Sequence, residues 1–318
     1  MRTALLKGSM PLLTSGLAVV LLVLTVVTPA GAAKPGHGGS GGGGNSSAIG
    51  YDVSYPQCGA TLPTSPAFGV VGVNNGLANS TNPCFGTSTS YANYSQSELY
   101  WATAYASGGT TQPKVSLYVN TADPGNEYNG TIIADWPTAN SSSVTNPNGS
   151  CLTTTITINA TAYTVGQNSP ACAWQYGYNM MTADIARLAS AAAQLNALET
   201  IDYVSPNALA YRWWLDIETA NSWQSGTSGQ AMNFADIQGM DAADAGGPAG
   251  GYVGVYTTSA QWSQIIGATS SSFALPEWVP GAKTQSGAVA NCAQSSFTGG
   301  QVTLTQWTSH SLDNDYVC

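Results

Sequence analysis

The segment Tyr211 to Glu218, reading Tyr-Arg-Trp-Trp-Leu-Asp-Ile-Glu, constrains the fold more than any other stretch of the chain. Side chains alternate across a strand, so Trp213, Leu215 and Ile217 share one face, and Trp214, Asp216 and Glu218 share the other. The first face is apolar and packs against a layer of helices. The second places two carboxylates at the C-terminal end of the strand, facing the inside of a barrel. Two acids on an otherwise apolar strand are expensive to bury without a reason.

Strand-like and helix-like segments alternate around this one. Ile49 to Ser54, Phe68 to Val73 and Lys114 to Asn120 read as strands, with a helix over Ser97 to Ala106. Thr182 to Leu198 reads as a helix, with Ile185, Leu188, Ala192 and Leu195 on one face. A helix over Asn233 to Ala245, a strand over Gly251 to Tyr256 and a short helix from Ser259 follow. The segments at Glu277 to Val279 and Val302 to Trp307 read as strands without full helices between them. Alternation that thins out in this way predicts an α/β fold, a TIM-like (β/α) barrel irregular in its last third.

Residues 136–172 form an Asn/Thr/Ser-rich insertion. Within it, Thr153 to Ile158 and Thr161 to Val165 flank Asn159-Ala160 as a hairpin. Six cysteines, Cys58, Cys84, Cys151, Cys172, Cys292 and Cys318, read as three structural disulfides in an exported chain. Sequence alone allows fifteen connectivities. Nearest-neighbour pairing is the simplest, and it would clamp the hairpin through Cys151 and Cys172.

The N-terminus supplies the export signal. Arg2 and Lys7 precede an apolar run from Leu17 to Val27, and Ala30-Gly31-Ala32 offers a signal-peptidase site. Leu17 to Ala33 approaches the shortest membrane span, of about 17 residues, but Pro29 and the small-residue site favour cleavage. Residues 1–32 are therefore expected to be a signal peptide, 33–47 a Gly/Ser-rich linker, and 48–318 the folded domain. The mature protein is expected to be extracellular or cell-wall associated, monomeric and free of the membrane.

Only 7% of the 318 residues are charged, against roughly 25% in an ordinary domain. Beyond Asn45 four basic residues stand against sixteen acidic ones, a formal −12. That balance excludes nucleic acid, whose phosphates require clustered lysine and arginine. It also speaks against anionic membrane surfaces.

The acids themselves carry the chemistry. Asp52 in Gly50-Tyr51-Asp52-Val53-Ser54 stands near the end of the first strand, as Asp216 and Glu218 do on theirs, and Asp313 and Asp315 follow the last strand. Strand-end acids converge at the C-terminal mouth of such a barrel. Crowded carboxylates do not all ionise easily, so one keeps its proton. A proton donor beside a base or nucleophile is what glycosidic cleavage requires. Taken singly, Asp52 or Asp313 is better accounted for as a turn or helix cap. Asp52, Asp216 and Asp313 are also hard oxygen ligands, although calcium-loop spacing is missing.

Other chemistries are poorly represented. His310 is the domain's one histidine and lacks a Gly-x-Ser-x-Gly partner motif, so it reads as a surface loop residue. No phosphate-binding loop or dinucleotide fingerprint is present. Nine Trp and sixteen Tyr against five Phe favour rings that stack on sugars while hydrogen-bonding hydroxyls. Tyr55, Tyr256, Trp278 and Trp307, near the acid-bearing strand ends, are the candidate sugar contacts.

Five motifs in order resemble glycoside hydrolase family 25, the lysozymes that cut peptidoglycan. Gly50-Tyr51-Asp52-Val53-Ser54 is similar to its Gly-x-Asp-Val-Ser strand, and Leu215-Asp216-Ile217-Glu218 to its Leu-Asp-x-Glu strand. Val253-Gly254-Val255-Tyr256 and Glu277-Trp278-Val279 resemble its Val-Gly-Ile-Tyr and Leu-Trp-x-Ala strands. Gln306-Trp307-Thr308 followed by Asp313 resembles its closing Trp-Gln-Tyr and Asp-x-Asn stretch. The resemblance implies a barrel of five β/α units plus three further strands, acting without metal or organic cofactor. It implies Glu218 as general acid, Asp216 orienting or stabilising the reacting sugar or assisting its acetamido group, and Asp52 and Asp313 lining the cleavage subsite. The substrate class implied is peptidoglycan or a related N-acetylated glycan; a non-catalytic glycan-binding protein on the same barrel is the alternative. The chain departs from the family at Val73-Asn74-Asn75-Gly76, where a Lys/Arg-Ala-Thr-Glu-Gly type of sequence is usual, and in its insertion and disulfides. A chitinase-type barrel would need an acid where Trp214 stands.

Overall fold

The computed structural model describes residues 49–75, 78, 80–87, 96–198, 202–244, 253–267, 273–309 and 312–318. The expected signal peptide and linker, and His310, lie outside the described residues. The elements in chain order are β1 (Ile49–Val53), β2 (Gly69–Gly72), α1 (Glu98–Tyr105), β3 (Val115–Asn120), β4 (Glu127–Tyr128), β5 (Thr131–Ile132), β6 (Thr153–Ile158), β7 (Thr161–Gly166) and α2 (Pro170–Asn196). Then come β8 (Arg212–Asp216), α3 (Gly226–Asp244), β9 (Val253–Tyr256), α4 (Ser259–Ile265), β10 (Glu277–Ala282), α5 (Gln285–Asn291), β11 (Val302–Ser309) and β12 (Leu312–Val317).

Eight strands close into a mixed barrel in the order β1-β12-β11-β10-β9-β8-β3-β2. All neighbours are parallel except β12, which runs antiparallel to both β11 and β1. Helices follow β2, β3, β8, β9 and β10, whereas β1 is followed by a single 3₁₀ turn at Tyr55–Gln57.

The alternation on β8 decides the two sides of the barrel wall. Trp213, Leu215 and Ile217 pack outward into the main core, with Leu99 and Trp101 of α1, Leu188 and Leu195 of α2, and Ile237 and Met240 of α3. Trp214 points inward, where it packs with Phe68, Val70, Trp278 and Leu304. The Trp214 and Trp278 rings meet edge to face at 5.7 Å between centroids. Two indoles inside one barrel need a neighbour without a side chain. A Cβ on Gly254 would stand 2.4 Å from the Trp214 ring.

The sequence reading and the structure differ at several places, among them α3, which begins at Gly226 rather than Asn233. The long helix α2 begins at Pro170 rather than Thr182 and takes up the end of the expected insertion. Ser169 caps it by accepting the N–H of Cys172, and Pro170 sits at its first turn. Its first three turns are buried against the insertion as well as α3, so no single apolar stripe marks them. A short helix, α5, separates β10 from β11, where none was expected; seven residues with a glycine show no helical period. A twelfth strand, Leu-Asp-Asn-Asp-Tyr-Val, closes the barrel. Asp and Asn are depleted in strands, which hides it from propensity. Finally, Asp313 and Asp315 lie on this strand, not after the last one.

The disulfides join Cys58 to Cys84, Cys151 to Cys172, and Cys292 to Cys318. The second ties the β6–β7 hairpin to the first turn of α2, beside a cluster of Trp136, Trp174 and Tyr176. The third anchors the C-terminal strand to the end of α5. Among the described residues, no helix is long and apolar enough to cross a membrane. Trp214→Ala should cost about 3–5 kcal/mol in chemical denaturation, because the barrel interior cannot collapse around the lost indole. Gly254→Ala should cost about 1–3 kcal/mol through overpacking against the same ring.

Candidate active site

Above the Trp214–Trp278 layer the barrel opens into a pocket of about 220 Å³. Its walls come from strand ends. Asp52 stands on β1, Asp216 is the last residue of β8, Glu218 lies two residues beyond it, and Asp313 is near the start of β12. Because β12 runs against its neighbours, its first residues reach the same end of the barrel as the last residues of the parallel strands. The register then sets Asp313 directly opposite Asp52. Asn120, Asp216, Tyr256 and Trp278 are consecutive partners across β3, β8, β9 and β10.

All four sequence-predicted acids therefore line one pocket, together with Tyr256 and Trp278. Tyr55 and Trp307 do not line it. Tyr55 lies in the 3₁₀ turn with its side chain 51% exposed, while the neighbouring Ser54 and Pro56 face the pocket. Trp307 is buried, and Gln306 is the residue of that pair that reaches the pocket. Adjacent residues on a strand point to opposite faces, so choosing Trp307 on chemistry selected the wrong parity. The sequence reading also missed Asn75, Tyr118 and Asn120. Tyr118 follows from period 2 once β3 and β8 are registered, since it pairs with the inward Trp214. Asn120 follows by the same rule, since it pairs with the inward Asp216, whereas Asn75, beyond the end of β2, carries no such signal.

Polar contacts fix the side chains. Gln306 Nε2 donates to Asp52 Oδ2 at 3.0 Å, and the Tyr256 hydroxyl donates to Gln306 Oε1 at 3.0 Å. The Trp278 indole N–H donates to Asp315 Oδ1 at 2.9 Å, just beneath the pocket. The Asp52 and Asp315 carboxyls lie beside each other. The Thr308 hydroxyl donates to Asp313 Oδ1 at 2.6 Å. Asn74 braces the rim: its Oδ1 accepts the Asn120 backbone N–H at 2.8 Å, and its Nδ2 donates to the Asn120 carbonyl at 3.0 Å. The backbone of Glu218 is held by Trp223, whose indole donates to its carbonyl at 2.9 Å, and its side chain is hydrogen-bonded to Gln261 at the start of α4.

Among the described residues, the pocket lining contains no lysine, arginine or histidine. Burial without a counter-charge raises the carboxyl pKa values. Asp52 is pushed up to about 7 by burial and by Asp313, against the lowering effect of Gln306 and Asp315. Asp216 is held well above the usual carboxylate range by burial, then by the charges of Glu218 and Asp52. Glu218, half-buried, is raised by burial and partly restored by Gln261. The site thus holds protons on buried acids next to Glu218, which reaches solvent, an arrangement able to donate a proton to a bound ligand.

No protein-family model matches the chain, and no curated protein does. Two solved structures align with it. The bacterial lysozyme from Streptomyces coelicolor is 14% identical over 86% of this chain and 93% of that one, with a TM-score of 0.37. A muramidase from Trichobolus zukalii is 13% identical over 85% and 93%, also with a TM-score of 0.37. At that level of likeness the chemistry has to be read from the site itself.

Carboxyls raised in the folded state stabilise it below their unfolded pKa, and that contribution is lost as pH rises through the folded value. Asp52, Glu98, Asp123 and Asp244 are all raised to about 7, each mainly by burial. The thermal midpoint should therefore fall as pH rises from about 4 to about 8. Melting curves across that range test the sign; a midpoint rising with pH would contradict it.

Proposed function

We propose that the protein is an exported glycoside hydrolase acting on peptidoglycan or a related N-acetylated glycan, with Glu218 as proton donor. One observation carries the reading: Asp52, Asp216, Glu218 and Asp313 surround a single pocket that also presents Tyr256 and Trp278 and, among the described residues, has no basic residue in its lining. The six parallel strand pairings, with the acids at their C-terminal ends, support describing the barrel as an irregular TIM-like one. The N-terminal signal sequence and three disulfides support export.

The chemistry divides between the two β8 acids. Glu218 is half-exposed and keeps its proton above the ordinary carboxyl range, so it can protonate the leaving glycosidic oxygen and regain the proton from solvent. Asp216 is buried at the base of the pocket. From there it orients the reacting sugar or its acetamido group and offsets positive charge developing at the anomeric carbon. Tyr256 and Trp278 form one side wall, their rings 4.5 Å apart in an edge-on arrangement. Recognition therefore rests on ring contact and hydrogen bonds to an uncharged sugar.

Glu218→Gln should slow clearing of purified cell walls by about 10²- to 10⁴-fold while wall binding persists. Asp216→Asn should also slow clearing without weakening binding in proportion. Activity should decline on the alkaline side as Glu218 loses its proton. Equal clearing by wild type and Glu218→Gln would remove Glu218 from the mechanism. Wall binding by wild type with no release of reducing ends would favour a glycan-binding protein on the same barrel.

A further inference from the structure

Asp315 lies under the pocket floor, fully buried on β12. Its Oδ1 accepts the Trp278 indole N–H. Among the described residues no protein donor reaches its Oδ2, and the side chain lies beside the Asp52 carboxyl, close enough for the two to interact directly. Two carboxyl groups hydrogen-bond only when one of them carries a proton, because an ionised carboxylate has nothing to donate.

The surroundings decide which one carries it. Asp52 faces the pocket with 8% of its surface exposed, and Gln306 already donates to its Oδ2. Asp315 has no exposure, and the indole is its one protein donor. Among the described residues, the remaining titratable groups around the pair are acidic: Asp313 beside it on β12, Asp216 on β8, and the phenols of Tyr118 and Tyr256. None of them brings positive charge to the floor. Negative charge is less costly on the acid with more solvent and an amide donor, so it resides on Asp52 and the proton on Asp315.

We propose that Asp315 is a positioning residue kept as a neutral carboxylic acid, which takes the Trp278 N–H and donates its own O–H to Asp52. Asp52 is then clamped by two donors, Gln306 and Asp315, and turns its remaining lone pairs into the pocket. It can only accept there. The ligand group that fits is a sugar hydroxyl or an amide N–H, and a sugar carboxylate is turned away. The naming of a sugar rests on the glycan reading above; the protonation of Asp315 does not.

A carboxyl ¹³C NMR titration of the whole mature chain tests it without requiring activity. In wild type the Asp315 carboxyl should keep the chemical shift of a protonated acid while Asp52 titrates. Asp315→Asn should leave the Asp52 midpoint within about half a pH unit, because the amide N–H replaces the donated O–H. Asp315→Leu, which removes the donor, should raise that midpoint by about one unit or more. An Asp315 carboxyl that ionises before Asp52 overturns the proposal. So does Asp315→Asn lowering the Asp52 midpoint by more than about one unit, since that means a negative charge was removed. Where Asp315→Leu does not fold, wild type and Asp315→Asn suffice. An inactive protein with this titration would count against the glycosidase reading and not against the proton assignment.

Discussion

Closure of the barrel by one reversed strand is the constraint on which the site depends. β12 fills the gap between β1 and β11 and runs antiparallel to both. An eighth parallel strand would have presented its C-terminal end at the mouth and required a crossover helix to return to it. The reversed strand instead follows β11 after a short connection and delivers its first residues to the mouth. That direction sets Asp313 against Asp52 and Asp315 against Gly50. The terminal disulfide, Cys292–Cys318, ties down the end of the strand that does this.

The interior is graded along the barrel axis. At mid-height it is filled by Trp214, Trp278, Phe68, Val70 and Leu304. Directly above stands a layer of acids that no cation among the described residues balances. The aromatic layer excludes water from below and raises the cost of ionising the acids above it, which is why burial leads the causes of each raised carboxyl pKa there. Trp278 serves both layers, since its ring closes the core and its N–H reaches Asp315. Sparse surface charge fits the same scheme. The chain puts several of its few carboxylates where their protons are useful and leaves solvation of the surface to hydroxyl and amide side chains.

Much of the site was legible from period 2 on single strands. Trp214, Asp216 and Glu218 were read as one inward face, and the structure places Trp214 in the barrel interior with both acids on the pocket. Where the reading failed, local pattern carried no information. Trp307 is a candidate on chemistry because aromatic rings stack on sugars, yet parity on β11 turns its neighbour Gln306 inward. Tyr55 follows β1 by two residues, but the 3₁₀ turn rotates it out to solvent. β12 escaped notice because its inward residues are acids and an asparagine separates them, which is the composition of a loop.

By itself the sequence determined the strand–helix alternation, the two faces of β8, the even set of cysteines and the identity of the acids. Those properties are local, set by side-chain spacing and chemistry along a few consecutive residues. Only the tertiary structure decided that β12 is a strand, that Asp313 faces Asp52, and that Asp315 lies under Asp52 with an indole as its one protein donor. These depend on register between segments more than 250 residues apart, and register is chosen by how the closed barrel packs its interior, which no single segment encodes.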